Sequence, residues 1–167
     1  RGGLLGVAET VSDLIEVVTK WACVAILAAM TVIVFGQVIA RFVFNRALPW
    51  PEEISRYLMI WACFLGSSLA VKYGEHIGVI FIVKRIPDGI RKYISLIVKL
   101  AVIVFLAFAA YHGFRMLEMT SRQVAPASGL NMAIAYAAIP VGSLFGLVHA
   151  IVNIFEKPQE SDVVLSI

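Results

Sequence analysis

"WACVAILAAMTVIVFGQVIA", residues 21–40, carries no Asp, Glu, Lys or Arg. A run of about 20 apolar residues, at roughly 1.5 Å rise per residue, spans the ~30 Å hydrocarbon layer of a bilayer. In lipid the backbone has to satisfy its own hydrogen bonds, and an unalternating run of this length does so as a helix rather than as a barrel strand. Three further runs follow outward from it: Ile54 to Val71 with only Arg56, Tyr93 to Phe114 with only Lys99, and Leu130 to Phe155 with none. The 167 residues are 60% hydrophobic and 15% charged, well below the quarter charged that soluble domains usually carry. The expected fold is an all-α integral membrane protein. It forms a single domain over residues 1–167, with spans at about 21–40, 54–73, 93–115 and 131–155.

A cleaved signal peptide is the competing reading of the first run, but Arg41 and Phe42 follow Ala40 where small residues would mark a cleavage site. The run is therefore read as a permanent helix. Since the first residue is Arg1 and not Met, a few preceding residues are expected to be missing.

The net charge of +3 does not point to nucleic acid, because no basic patch with interleaved aromatics stands outside the apolar runs. The basic residues report orientation instead. Arg1, Lys20, Lys72, Lys84, Arg85, Arg91, Lys92 and Lys157 lie on one side, against Arg41, Arg46, Arg56, Arg115 and Arg122 on the other. By the positive-inside rule both termini and the middle connector are cytoplasmic. Lys99 is placed to snorkel to the same inner face.

Leu4 to Lys20 has apolar residues near helical period and is expected along the inner surface. "IGVIFIVKRIPDGIRK", residues 77–92, offers only seven apolar residues, Ile77 to Val83, before Lys84. That is too short to cross, so an interfacial segment between the second and third helices is expected. Small residues recur every four positions at Ala62, Gly66, Ala70 and Gly74, and again at Ala138, Gly142, Gly146 and Ala150. Such runs let helices approach closely in lipid, and each is read as a packing face. Pro140 either kinks the fourth span or starts it.

Chemistry is sparse. The span centres hold no Asp, Glu or Arg, which argues against an independent small exporter needing a membrane carboxylate. A haem-binding anchor for electron transfer is the other alternative, with His76, His112 and His149 as the ligands to place. His112 falls near the outer face and His149 near the inner one, roughly 20 Å apart by helical rise, too far to share one iron. Cys23 and Cys63 read as buried small residues without metal-ligand spacing. Polar design concentrates in "RFVFNRALPWPEEISRY", residues 41–57. There Trp50 and Pro51 suit an interfacial helix start, Glu52 and Glu53 favour its positive end, and both carboxylates are spaced to reach Arg56.

These residues also carry a resemblance. "RFVFN" and "LPWPEEISRYLMIW", followed by "FLGSSLAVKYGEHIGV" and "RIPD", resemble the DctQ family, the small membrane subunits of tripartite ATP-independent periplasmic (TRAP) transporters. The resemblance implies a multi-pass subunit of the bacterial inner membrane, set among phospholipids. Its implied partners are a large DctM-like membrane subunit and a periplasmic solute-binding protein. The large subunit is implied to carry an organic acid inward with sodium by an elevator-like motion, and this chain to brace its scaffold without carrying solute, catalysing a reaction or holding a cofactor. Sialic acid and C4-dicarboxylates are solutes of the family. The candidate interface and structural residues are Arg41, Asn45, Trp50, Glu52, Glu53, Arg56, Trp61, Gly66, His76, Gly142 and Gly146.

Overall fold

The structure is a computed structural model that describes residues 3–46, 48–73 and 88–155. Among these residues all regular elements are helical: α1 (Gly3–Phe42), α2 (Trp50–Lys72), α3 (Asp88–Thr120), the single turn α4 (Ala133–Tyr136) and α5 (Ala138–Phe155). Four helical stretches are long and apolar enough to cross a membrane: α1, α2, α3, and α4 together with α5. The chain is a four-span all-α membrane protein. The interfacial segment expected at Ile77 to Val83, and His76 beside it, lie outside the described residues.

The first 20 residues differ from expectation. From Gly3 onward they do not form a separate surface segment but run unbroken into the first span as one 40-residue helix, roughly 60 Å long. The reason is a polar stripe. Ser12 and Thr19, seven residues apart on one helix face, are buried, while Leu14, Val17 and Val18 are exposed. The helix thus turns its polar side inward and its apolar side out, the arrangement that lipid favours when polar side chains join helices.

The helices pack as an open row in the order α1, α2, α5, α3. α2 lies against α1 and α5, α5 lies against α3, and α1 touches α5 more lightly. Among the described residues α3 meets neither α1 nor α2. A closed bundle would join its edge helices; this row leaves α1 and α3 as free flanks, rich in exposed Val, Leu and Phe.

Pro140 breaks the fourth span. Proline lacks the amide that would reach back four residues and crowds the carbonyl there, so the helix is interrupted at Ala137, between α4 and α5. The ring is buried, and α3 approaches it through Gly113. A Cβ at Gly113 would fall 2.9 Å from Pro140 Cδ.

Candidate functional site

At one end of the row, polar design begins where α1 ends. Asn45 takes φ of 50°, the left-handed region where Asn is enriched among non-glycine residues. The Arg46 amide donates back to the Ala40 carbonyl at 3.0 Å. This turn brings the chain to Pro49 and the exposed Trp50, from which α2 starts with Pro51 in its first turn.

The two carboxylates that open α2 do different things. Glu52 accepts from Arg56 at 2.6 Å, with both side chains largely exposed. Glu53 does not pair with Arg56 as its i to i+3 spacing suggested. Its Oε2 accepts the backbone amides of Ala127 at 3.1 Å and Ser128 at 2.7 Å, and its Oε1 faces the Tyr57 hydroxyl at 3.5 Å. Glu53 therefore holds the connector between α3 and α4. That connector is folded by an antiparallel bridge, Val124 to Asn131, by the Ala125 amide donating to the Leu130 carbonyl at 2.8 Å, and by Gly129 at φ 69°. Trp61, two turns further along α2, adds a second tie: its indole N–H donates to the Ile134 carbonyl at 2.9 Å. Arg41 lines an open pocket with Gln37, Leu48, Pro49 and Glu52.

The opposite end, where α1 meets the close of α2, is more densely connected. Lys72, closing α2, donates to Asp13 and Glu16 of α1, each at 2.6 Å. Glu16 also accepts from Lys20 at 2.5 Å and from the Tyr73 hydroxyl, and the Lys20 ammonium stands 5.2 Å from the Tyr73 ring centre. The Asn153 carboxamide donates to the carbonyls of Val71 at 2.7 Å and Lys72 at 3.1 Å, capping α2. Lys99 of α3 donates to the Asn153 carbonyl at 2.6 Å, capping α5. Beneath these bonds His149 is 0% exposed, with Ser12 Oγ 2.8 Å from its Nδ1. His149 Nε2 and Thr19 Oγ1 are buried without a hydrogen-bond partner among the described residues.

Sequence reasoning looked for polar design at residues 41–57 and missed this network at the other end. Its one visible signal is the Glu16 to Lys20 spacing of four on α1. His112, on α3, is exposed and stacks on Phe108 with ring centres 4.1 Å apart. It and His149 thus face different neighbours.

The two small-residue runs also part company. A Cβ at Gly142 would fall 2.7 Å from Phe64 Cβ and 2.8 Å from the Phe64 carbonyl oxygen, and one at Gly146 would fall 3.2 Å from a Leu106 methyl. These glycines set α5 against α2 and α3. A Cβ at Gly66 would meet nothing within 4 Å, so Gly66 is not a point where α5 closes on α2.

A row of spanning helices whose polar groups are used at its two ends to join helices defines a multi-pass helical membrane protein. The profile of the tripartite ATP-independent periplasmic transporters, DctQ component, matches residues 30–159. A TRAP transporter small permease protein of Haemophilus influenzae Rd, itself named by inference, is 32% identical over 129 residues, 77% of this chain and 79% of the relative. The sialic acid TRAP transporter permease protein SiaT of H. influenzae 86-028NP is 30% identical over 122 residues, 73% of this chain but 20% of that relative. The ectoine TRAP transporter small permease protein TeaB of Halomonas elongata is 26% identical over 166 residues, 98% of this chain and 84% of the relative. The chain belongs to the DctQ family of TRAP transporter small subunits, a transporter component and not an enzyme class.

Proposed function

We propose that this chain is the non-carrying membrane brace of a sodium-coupled uptake system for a carboxylate-bearing solute. It sits in the inner membrane with both ends cytoplasmic. Its partners are a large solute-carrying subunit, where sodium coupling resides, and a periplasmic solute receptor. The observation that carries this reading is the open row of helices. Among the described residues α1 and α3 do not close on one another, which leaves broad apolar flanks for another membrane protein to cover. The span centres offer no Asp, Glu or Arg to bind a solute or an ion. Membership of the family supports the same division of labour. So does the relative named a sialic acid permease, in which a segment like this chain makes up only 20% of the length. The names of relatives include both sialic acid and ectoine, so the solute is proposed only as a class, an organic acid.

The orientation follows from the basic residues, and the two ends divide the work. The inner network fixes α1, α2, α3 and α5 relative to one another. The outer stretch, Arg41 to Arg56, sets the α1 to α2 corner and the connector above it, on the side where a periplasmic receptor would dock.

The test is sodium-driven uptake in proteoliposomes that combine this chain with a DctM-like large subunit and a solute receptor from the same organism. The complete system should take up its solute, the system lacking this chain should lose most of that uptake, and this chain alone should transport nothing. Uptake by the chain alone, or full uptake without it, would overturn the proposal.

A further inference from the structure

The α1 to α2 corner holds an open pocket of about 380 Å3 lined by Gln37, Arg41, Leu48, Pro49 and Glu52. We propose that it is a binding site for a phospholipid headgroup of the phosphoethanolamine class, with the phosphate on Arg41 and the primary ammonium on Glu52. Four observations converge on that ligand. The first is depth. Arg41 lies in the last turn of one spanning helix and Glu52 in the first turn of the next, so the pocket sits at headgroup level, where a lipid is the neighbour at highest concentration.

The second is an unused cation. Among the described residues Arg41 has no hydrogen-bond or ion-pair partner, whereas Arg56, Lys20 and Lys72 are all paired. A guanidinium presents a planar fork of donors that matches two phosphate oxygens. Gln37, one turn below Arg41 on α1 and lining the same pocket, supplies an amide donor beside it.

The third is a free acceptor. Glu52 Oε1 is taken by Arg56, and the other carboxylate oxygen remains to accept from a ligand. A headgroup with a phosphate and a primary ammonium a few ångströms apart offers an acceptor to the Arg41 fork and N–H donors to that remaining oxygen. A phosphoglycerol headgroup brings no cation to Glu52, and a phosphocholine headgroup brings a cation with no N–H to donate. The fourth is the rim. Phe42, Val43 and Phe44 are exposed at the corner, apolar surface suited to the glycerol and upper acyl region of a lipid and not to a soluble phosphate.

The test is native mass spectrometry of the full chain, exchanged into mixed micelles carrying equal amounts of phosphatidylethanolamine, phosphatidylcholine and phosphatidylglycerol with identical acyl chains. Phosphatidylethanolamine should be retained over the other two by about tenfold, the size of one charge-assisted contact. Arg41→Ala should lower retention of all three adducts, each of which presents a phosphate, by about the same factor. Glu52→Gln should remove the preference for phosphatidylethanolamine while leaving phosphatidylglycerol bound. Arg56→Ala, which deletes an equal charge at the same end, should preserve the preference. Equal retention of all three lipids, or wild-type retention by Arg41→Ala, would overturn the site. Binding of soluble phosphoethanolamine as tightly as the lipid would overturn its assignment to a lipid.

Discussion

Gly66 and Gly142 sit in runs of the same rhythm on helices that pack against one another, and they meet opposite surroundings. At Gly142 the backbone of Phe64 stands where a Cβ would go, at 2.8 Å from the carbonyl oxygen; at Gly66 there is open space. The phase of the helices explains the difference. α2 turns Phe64 and Ser68, not Gly66, toward α5, and the backbone around Ser68 lies 3.8 Å from the Cβ position of Gly146. A small residue every fourth position permits close approach; only the neighbour decides whether the approach is used.

The largest effect that would sharpen this contrast belongs to Gly142→Leu. Its first side-chain atom would strike backbone, which cannot swing aside as a side chain tip does, so α2 and α5 would have to separate at the centre of the row. Overpacking of this kind costs about 3 kcal/mol at the upper end of its usual range. Thermal unfolding of the detergent-solubilised chain, followed by helical circular dichroism, should show a clear loss of stability. An unchanged midpoint would mean that α2 and α5 do not meet at Gly142.

Gly146→Ala is the intermediate case. The obstacle there is a pair of Leu106 methyls at 3.2 and 3.3 Å, the far end of a flexible side chain. Ala recovers roughly 0.5–1 kcal/mol relative to Gly in a helix interior, which offsets most of the crowding. The same unfolding measurement should move by less than about 1 kcal/mol in either direction. A loss equal to that of Gly142→Leu would show that Leu106 is held as rigidly as backbone.

Much of the fold was legible because lipid simplifies the code. Four charge-poor runs of sufficient length leave little choice but four helices, and the α5 small-residue run was found by spacing alone. The open row was not legible. Which helices adjoin depends on interhelical contacts that hydropathy does not encode, and the α2 run reads like the α5 run until the phase of the helix is known. The site shows the same division. Glu52 and Arg56 were paired correctly because both lie on one helix, where spacing is distance. Glu53 was given the wrong partner because its true ones are backbone amides at Ala127 and Ser128, which every residue but proline possesses and which therefore leave no mark on the sequence. The inner network was missed for a related reason. Asp13 and Lys72 are 59 residues apart, and the first 20 residues read as a surface helix until Ser12 is seen against His149.

Gly66→Leu should have the smallest effect on the isolated chain, and its value lies in that smallness. With nothing within 4 Å of the Cβ position, a leucine there meets detergent or lipid, and its helix propensity exceeds that of glycine. Unfolding of the chain by itself should be unchanged or slightly more stable, within about 1 kcal/mol. The proposed brace role adds a second arm to the experiment. If the large subunit covers the Ala62, Gly66 and Ala70 face, the same leucine would intrude on a helix-to-helix contact that exists only in the assembly. Co-purification with the large subunit would then fall while the stability of the chain alone stays put. Retained co-purification would place the partner on the α1 or α3 flank instead. Loss of stability in the isolated chain would contradict the packing itself, by showing that Gly66, like Gly142, is occupied from within.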